Sequence, residues 1–328
     1  MARLICLGGG IESVPILRRV KQLGHQIVVV DGDPNAPGFA IEGIIRLKGS
    51  CYHAEEAIAA LQEARLPVDG VLCCAVDAPV VAAKLTWHFG LSGLGLEAAM
   101  LSQDKLLQLK TFEYAGLPIP AYRAGLSLQG LNGDWLSIKP VDSRGGRGVT
   151  RIRATDVVPR YVEYSQSFSR THYVLLEQWL DGPQLSTESI VQDGRALFTA
   201  VALRNYARLD EFAPHVIEDG CDAPYGDANL VGECSELVER ACHALGWYQE
   251  GAGTVKGDLV VHDGKVNIIE LAARLSGGFL CSHIIPQAYG IDFVGYAIQA
   301  ALGRTLSPWP PAYDRPHFVS QRYVFPEP

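Results

Sequence analysis

Short apolar runs alternate with amphipathic helical patterns over the first hundred residues. Residues 4–7 form one apolar run, which ends at the glycines of residues 8–10, and residues 27–30 form a second, which ends at Asp31. The alternation continues with a helix over residues 54–64, a strand over residues 68–75 and a helix over residues 79–89. Buried strands that alternate with helices are typical of a parallel sheet covered by helices. We therefore expect a doubly wound α/β domain over residues 1–100.

The pattern changes at Gln103, after which strands become more frequent than helices. We expect strands over residues 136–139, 173–177, 186–192, 196–202, 252–261 and 265–271, and helices over residues 104–115 and 233–245. The turn sequence Asp263-Gly264 separates the last two strands and favours a hairpin. A proline-rich stretch over residues 306–316 is expected to follow the surface near the C-terminus. This part of the chain predicts α+β lobes.

Composition limits the classes of function. The 328 residues carry a net charge of -8, which argues against a general binder of nucleic acid. No apolar run reaches the roughly 18 residues of a membrane span, and the N-terminus reads as a strand and not as a signal peptide. The eight cysteines show no C-x-x-C pairing, which indicates reduced thiols in a cytoplasmic protein.

The glycine turn at residues 8–10 resembles the start of a dinucleotide-binding fingerprint, with Asp31 at the end of the next strand. The full G-x-G-x-x-G spacing fails, because Ser13 stands where the third glycine is required. The pattern favours a tight strand-to-helix turn, and a nicotinamide-dependent dehydrogenase is the alternative that rests on this turn alone. A role in binding a substrate anion, or contact of Glu12 with an amine, stays open.

A second glycine-rich segment follows the strand that ends at Lys139. Between Arg144 and Gly148, the chain has glycines at positions 145, 146 and 148. Such a loop can fold its N–H groups over a polyphosphate, while the lysine supplies positive charge. The segment lacks the order of a Walker P-loop, so we interpret it as a different type of phosphate-binding loop.

Two further groups of residues fit a nucleotide and a metal. The apolar strand that ends at Glu177 continues into Gln178-Trp179-Leu180, where an exposed backbone could bind adenine. Asp258 and Glu270 lie on the two strands of the expected hairpin, and one or two carboxylates with phosphate oxygens suit Mg²⁺. Arg274 is expected on the same strand face as Glu270.

These segments, in this order, resemble the ATP-grasp superfamily over nearly the whole chain. The stretch from Glu270 to Gly278 is most similar to the carboxylate–amine ligase branch, which includes L-amino acid ligases and pyrrolysine-pathway ligases. The resemblance implies an N-terminal pre-ATP-grasp domain over residues 1–100, a small lobe with the glycine loop over residues 101–176, and a large lobe over residues 177–328. It also implies a cytoplasmic enzyme and raises the expectation of a homodimer.

The resemblance assigns roles to individual residues. ATP would be bound by Lys105, Lys139, Arg144, Gly145, Gly146, Gly148, Glu177, Gln178, Trp179, Leu180 and Gln184. Mg²⁺, with Mn²⁺ able to substitute, would be held by Asp258 and Glu270. The substrate would contact Arg274, Ser276, Gly277, Gly278, Arg204, His215 and Glu12, with Arg274 and Lys139 acting in catalysis. Two positions depart from the family pattern: Ala272 replaces a frequent Asn, and Gln184 replaces a frequent ribose-binding Glu.

The resemblance implies that a small carboxylic acid, such as an amino acid, is phosphorylated by ATP to an acylphosphate. An amine would then form the amide, with release of ADP and phosphate, and backbone N–H groups of Gly277 and Gly278 would meet the oxyanion. Small molecules are thus the expected partners. Two alternatives stay open: an ATP-grasp enzyme that uses bicarbonate or a nucleophile other than an amine, and a non-catalytic protein that senses ATP or a metabolite.

Overall fold

A computed structural model describes residues 1–125, 130–156, 159–306 and 316–325. The strands are β1 Arg3–Leu7, β2 Gln26–Asp31, β3 Ile45–Lys48, β4 Gly70–Cys73, β5 Tyr122–Ala124, β6 Trp135–Pro140, β7 Thr150–Arg153, β8 Val174–Gln178, β9 Gln184–Gln192, β10 Arg195–Asn205, β11 Gly220–Ala223, β12 Ala252–His262, β13 Lys265–Ala272 and β14 Val319–Arg322. The α-helices are α1 Val14–Gln22, α2 Ala54–Glu63, α3 Pro79–Phe89, α4 Leu96–Leu101, α5 Lys105–Tyr114, α6 Pro159–Gln166, α7 Ala228–Leu245, α8 Ile285–Tyr289 and α9 Phe293–Ala301. Most of the proline-rich stretch at 306–316 lies outside the described residues.

The N-terminal strands form a parallel sheet in the order β3-β2-β1-β4. Residues 4–7 and 27–30 are buried on both faces, as expected for strands covered by helices on each side. The pattern had not indicated β3. One face packs against α9 from the far end of the chain, whose Ile298 shares a core with Leu4. The N-terminal sheet therefore depends on the C-terminal region for part of its core.

The glycine turn between β1 and α1 is closed by its own neighbours. Gly8 has a φ of +92°, and the N–H of Gly9 donates a 2.7 Å hydrogen bond to the Asp31 carboxylate. The Ser13 hydroxyl donates to the backbone oxygen of Cys74. Because Asp31 holds the turn itself, the structure supports the tight turn and offers no support for a dinucleotide site.

A second sheet is antiparallel, in the order β5-β8-β6-β7, and it carries the arginine- and glycine-rich loop between β6 and β7. Strand β7 and helix α6, which the pattern did not indicate, complete this small layer. Ile138, Leu176 and Val162 form its core. The loop is thus attached at both ends to a rigid sheet.

The third sheet has six antiparallel strands in the order β13-β12-β9-β10-β11-β14. Helix α7 covers one face, where Val238 and Cys242 pack with Val255 and Leu259. The helix begins at Ala228, five residues before the expected start, because the Asp227 carboxylate caps it by accepting hydrogen bonds from the N–H groups of Asn229 and Leu230. The expected hairpin of β12 and β13 is present, and its turn has positive φ angles at Asp263 and Gly264.

Two further features bear on the class of protein. All eight cysteines lie in described residues, and all are buried and free of disulfide bonds. Within the described ranges, no helix combines the length and the apolar character that are needed to cross a lipid bilayer.

Candidate active site

Two adjoining cavities open where the three sheets meet. The larger has a volume of about 610 Å³ and the smaller about 130 Å³. Both are lined by the loop from Arg144 to Arg147, by Arg204 and by the facing carboxylates of Asp258 and Glu270. A molecule bound in the smaller cavity could therefore place one end beside these charged side chains. There it would meet a second molecule bound in the larger cavity.

The smaller cavity is lined by the residues that were expected to bind a nucleotide, except Gly148. Lys139 and Glu177 form a buried ion pair across β6 and β8, and the chain from Gln178 to Leu180 forms one wall. The Glu177 Oε1 atom is buried and has no hydrogen-bond partner among the described residues. Gln184 donates a 3.2 Å hydrogen bond to the Leu180 backbone oxygen. The N–H groups of Gln178 and Trp179 already donate to backbone oxygens, so the unpartnered oxygen of Glu177 is the acceptor that suits a ligand with amino donors.

The glycine loop covers both cavities. Gly145, Gly146 and Gly148 all have positive φ angles, between 62° and 77°, which side chains rarely adopt. Lys105 Nζ donates a 2.6 Å hydrogen bond to the backbone oxygen of Ser143 at the start of the loop. A side chain at position 148 would lie within 3.0 Å of Phe168, so this glycine is required by space as well as by conformation.

A contact between domains also holds the loop. The Arg144 guanidinium lies 3.6 Å from the centre of the Tyr52 ring, which belongs to the N-terminal domain. Such cation–π contacts are worth about 0.5–1 kcal/mol at exposed sites. The N-terminal domain therefore helps to place the loop over the cavities.

Asp258 and Glu270 are register partners on β12 and β13, as the sequence predicted. The Asp258 carboxylate is 2.8 Å from Arg204 Nη1 and also pairs with Lys256, and Glu270 is 3.0 Å from Lys105 Nζ. Burial alone would raise the pKa of Asp258, but these two cations outweigh burial and hold it well below its usual range. Asp258 thus stays ionised, as a metal ligand must.

The donor set can be tested against a magnesium ion. The described residues contain no cluster of three or more side chains suited to hold a metal. Two facing carboxylates are enough for Mg²⁺ when phosphate oxygens and water supply the other ligands. The residues therefore fit a cation that arrives with a phosphorylated substrate. Ala272, also on the cavity wall, adds no ligand.

Arg274 lies in the larger cavity, but the prediction that it shares a strand face with Glu270 was wrong. Strand β13 ends at Ala272, and the Arg274 N–H donates to the Ala272 backbone oxygen, so the chain has already turned. Arg274 Nε is 4.0 Å from the carboxylate of Asp77, whose pKa is raised by burial. Neither Arg274 Nε nor Asp77 Oδ1 has a hydrogen-bond partner in the described part of the chain.

A buried carboxyl group supports the segment that follows Arg274. Glu188, on the central strand β9, accepts a 2.9 Å hydrogen bond from the Ser276 N–H. Its other oxygen and the Ser276 hydroxyl are buried and unpartnered among the described residues. Burial raises the pKa of Glu188 to about 7, although Ser276 and the cations of Arg274 and Lys256 act against it.

The glycine pair at 277–278 lies against the N-terminal domain. The N–H of Gly278 donates a 2.9 Å hydrogen bond to the Glu12 carboxylate. A Cβ on Gly277 would lie 2.5 Å from the same carboxylate, so only glycine allows this approach. We expected the Gly278 N–H to donate a hydrogen bond to the oxyanion. The structure does not match this expectation, because that N–H already donates to Glu12.

Arg204 and His215 also line the larger cavity, but they differ in the contacts that hold their side chains. Arg204 bridges Glu218 and Asp258, each at 2.8 Å, and these carboxylates help to raise its pKa against the effect of burial. His215 packs its ring against Tyr164 at 5.2 Å between ring centres. Arg204 therefore orients Asp258, whereas His215 forms part of the wall.

Several residues in or around the site were missed by the sequence reasoning. Lys256 could have been found, because it lies two positions before Asp258 and so points to the same strand face. Glu188 also carried a signal, as a charged residue inside an otherwise uncharged strand. Tyr52 and Tyr323 carried none, because only the packing of distant segments brings them to the site.

Known proteins share the sequence pattern and the fold of this chain. The sequence model of a family described as an ATP-grasp domain matches residues 102–278. A D-alanine–D-alanine ligase from Gloeobacter violaceus is 26% identical over 316 residues, which cover 88% of this chain and 91% of that protein.

Two solved structures share the fold. The phosphoribosylglycinamide synthetase from Anaerococcus prevotii has a TM-score of 0.76 and 18% identity, with 98% of this chain and 81% of that chain covered. The L-amino acid ligase from Bacillus licheniformis has a TM-score of 0.73 and 22% identity, with 92% and 74% covered. The mixed α/β architecture, with a parallel N-terminal sheet and antiparallel sheets beyond it, is therefore shared with these proteins.

Proposed function

The chain belongs to the ATP-grasp domain family, and from this premise we propose that it is an ADP-forming ligase that joins a small carboxylic acid to an amine. The observation that carries the proposal is the pair of adjoining cavities, which share Asp258 and Glu270 at their junction. A nucleotide in the smaller cavity would present its terminal phosphate at that junction. A carboxylate in the larger cavity would meet it there.

We further propose a division of the chain into three functional parts. Residues 1–100 form the domain that closes the substrate cavity, residues 101–176 form the lobe with the glycine loop, and residues 177–328 carry the metal and substrate groups. The contacts of Tyr52 with Arg144 and of Glu12 with Gly278 support the role of the first part.

ATP would be held by groups from both sheets. Adenine would lie along Gln178 to Leu180, and its amino group would donate to the free oxygen of Glu177. Lys139 and Lys105 would contact phosphate oxygens, with the N–H groups of the glycine loop above them. Gln184 retains amide groups that can hydrogen-bond a ribose hydroxyl.

The chemistry would be positioning and charge neutralisation more than covalent catalysis. A carboxylate oxygen of the substrate attacks the γ-phosphorus, the bond to the β-phosphate oxygen breaks, and ADP leaves. The amine then attacks the acylphosphate carbon, loses a proton, and phosphate leaves. Arg274 would bind the carboxylate or the transferring phosphoryl group, since its guanidinium suits both. Mg²⁺, held by Asp258 and Glu270, would neutralise phosphate charge.

The nature of the carboxylate is proposed from the relatives. The names of two of them, a D-alanine–D-alanine ligase and an L-amino acid ligase, refer to amino acids. The larger cavity contains both cationic and anionic side chains, which suits a substrate that carries both charges. We therefore propose an amino acid as the carboxylic substrate.

The test is release of ADP and phosphate from Mg²⁺-ATP with single carboxylates, with and without amines. Release that requires one carboxylate and rises with an amine would support the proposal. Stimulation by bicarbonate alone would favour a carboxylating enzyme. Tight ATP binding with no release would favour a sensor, and AMP with pyrophosphate would refute the acylphosphate route.

A further inference from the structure

Three distant parts of the chain meet at one corner of the larger cavity. Glu12 comes from the N-terminal domain, Gly278 from the segment after β13, and Tyr323 from the residue that follows β14. The matched family segment ends at residue 278, so Tyr323 lies outside it. Glu12 also lies outside that segment, whereas Gly278 is its last residue.

The packing fixes Tyr323 in this place. Its N–H donates a 2.9 Å hydrogen bond to the Asp219 backbone oxygen, and β14 pairs with β11 along the edge of the large sheet. Its hydroxyl lies 2.8 Å from the position that a Cβ on Gly278 would take. The residue is 38% exposed and lines the larger cavity.

The corner is rich in oxygen acceptors. Burial, with smaller contributions from the nearby carboxylates of Glu218 and Glu12, raises the pKa of the Tyr323 hydroxyl to about 12, so it stays protonated. The nearby cation Arg204 is already paired with Glu218 and Asp258. Among the hydrogen bonds of the described residues, the Glu12 carboxylate accepts only the one from the Gly278 N–H. A positively charged group would be attracted to this corner.

We propose that Tyr323 is a specificity residue that, with Glu12, receives the ammonium group of the substrate through its hydroxyl oxygen. The inference rests on the proposed ligase function and deepens it, because it predicts that the substrate carries a free amino group. The substrate carboxylate would then point toward Arg274, and the chain between Ser276 and Gly278 would lie along the substrate between its two ends.

The experiment compares Tyr323→Phe and Tyr323→Ala with Val324→Ala as a matched control. Val324 is the next residue and is 96% exposed, so its loss leaves the cavity unchanged. ADP release is measured with each of the twenty L-amino acids and D-alanine, and with the N-acetyl form of every acid that is active. The N-acetyl form keeps the carboxylate and lacks the cation.

Loss of a hydrogen bond to a charged group predicts that Tyr323→Phe raises the KM for the free amino acid about tenfold, with kcat changed less than about twofold. The KM of the N-acetyl form should hardly change in any variant. Equal KM values for Tyr323→Phe and Val324→Ala would overturn the assignment. So would a wild-type enzyme that prefers acids without an amino group. No ADP release with any carboxylate would instead refute the ligase function.

Discussion

Replacement of Glu188 by Gln tests whether the carboxyl group beneath Ser276 is held in its neutral form. Glu188 is fully buried on the central strand of the large sheet, and its pKa is raised to about 7, against an ordinary value of 4.5. A difference of one pKa unit between the folded and unfolded states corresponds to a free energy of about 1.4 kcal/mol. Ionisation of Glu188 should therefore cost the folded protein about 3 kcal/mol.

The direction of the pH dependence follows from linkage. Below pH 4.5 the carboxyl is protonated in both the folded and the unfolded chain, so its stabilising contribution is fully present. As pH rises from 4.5 to about 7, the unfolded chain releases the proton while the folded chain keeps it. The free energy of unfolding falls over this window and levels off above it. Gln keeps the shape and the acceptor for the Ser276 N–H, but it does not ionise.

The assay is urea unfolding of the wild type and Glu188→Gln at pH values from about 4.5 to about 8.5, followed by tryptophan fluorescence. The variant should gain up to about 3 kcal/mol over the wild type as the pH rises. Glu236→Gln is the matched control, because Glu236 is an exposed glutamate on α7. A difference between wild type and Glu188→Gln that is constant over the pH range would refute the reasoning.

Three other substitutions test separate parts of the site. Lys139→Met leaves Glu177 buried without its partner and should lower the free energy of unfolding by about 3–5 kcal/mol. The double variant Lys139→Met, Glu177→Leu should recover most of this loss, and a double variant as unstable in urea as the single one would contradict a buried ion pair. Gly148→Ala should raise the KM for ATP more than Gly145→Ala does, because of these two positions only a Cβ at 148 would meet neighbouring side chains. Equal KM values for the two variants would argue against the packing requirement at Gly148. Glu270→Ala should abolish ADP release while calorimetry still detects weakened ATP binding, and near-normal ADP formation would rule out the metal role.

The sequence by itself determined the class of fold and the family. The alternation of apolar runs with helical patterns predicted the parallel N-terminal sheet, and the turn at Asp263-Gly264 predicted the hairpin that sets Asp258 opposite Glu270. These features were confirmed because they depend on local periodicity and on turn residues, which act over a few neighbouring positions. The family resemblance was confirmed by the match over residues 102–278.

Tertiary structure decided which charged groups are free and which are occupied. Arg204 is held between two carboxylates, Gly278 N–H is bound to Glu12, and Arg274 lies past the end of its strand. The first two facts depend on contacts between residues far apart in the chain, and a side chain's spacing does not specify its distant partners, whereas Arg274 is displaced by a local turn after Ala272. Tyr323 shows the same limit, since strand β14 reaches the cavity only by pairing at the sheet edge. Local sequence patterns set the elements, whereas long-range packing and the cost of burying unpaired charge set the site.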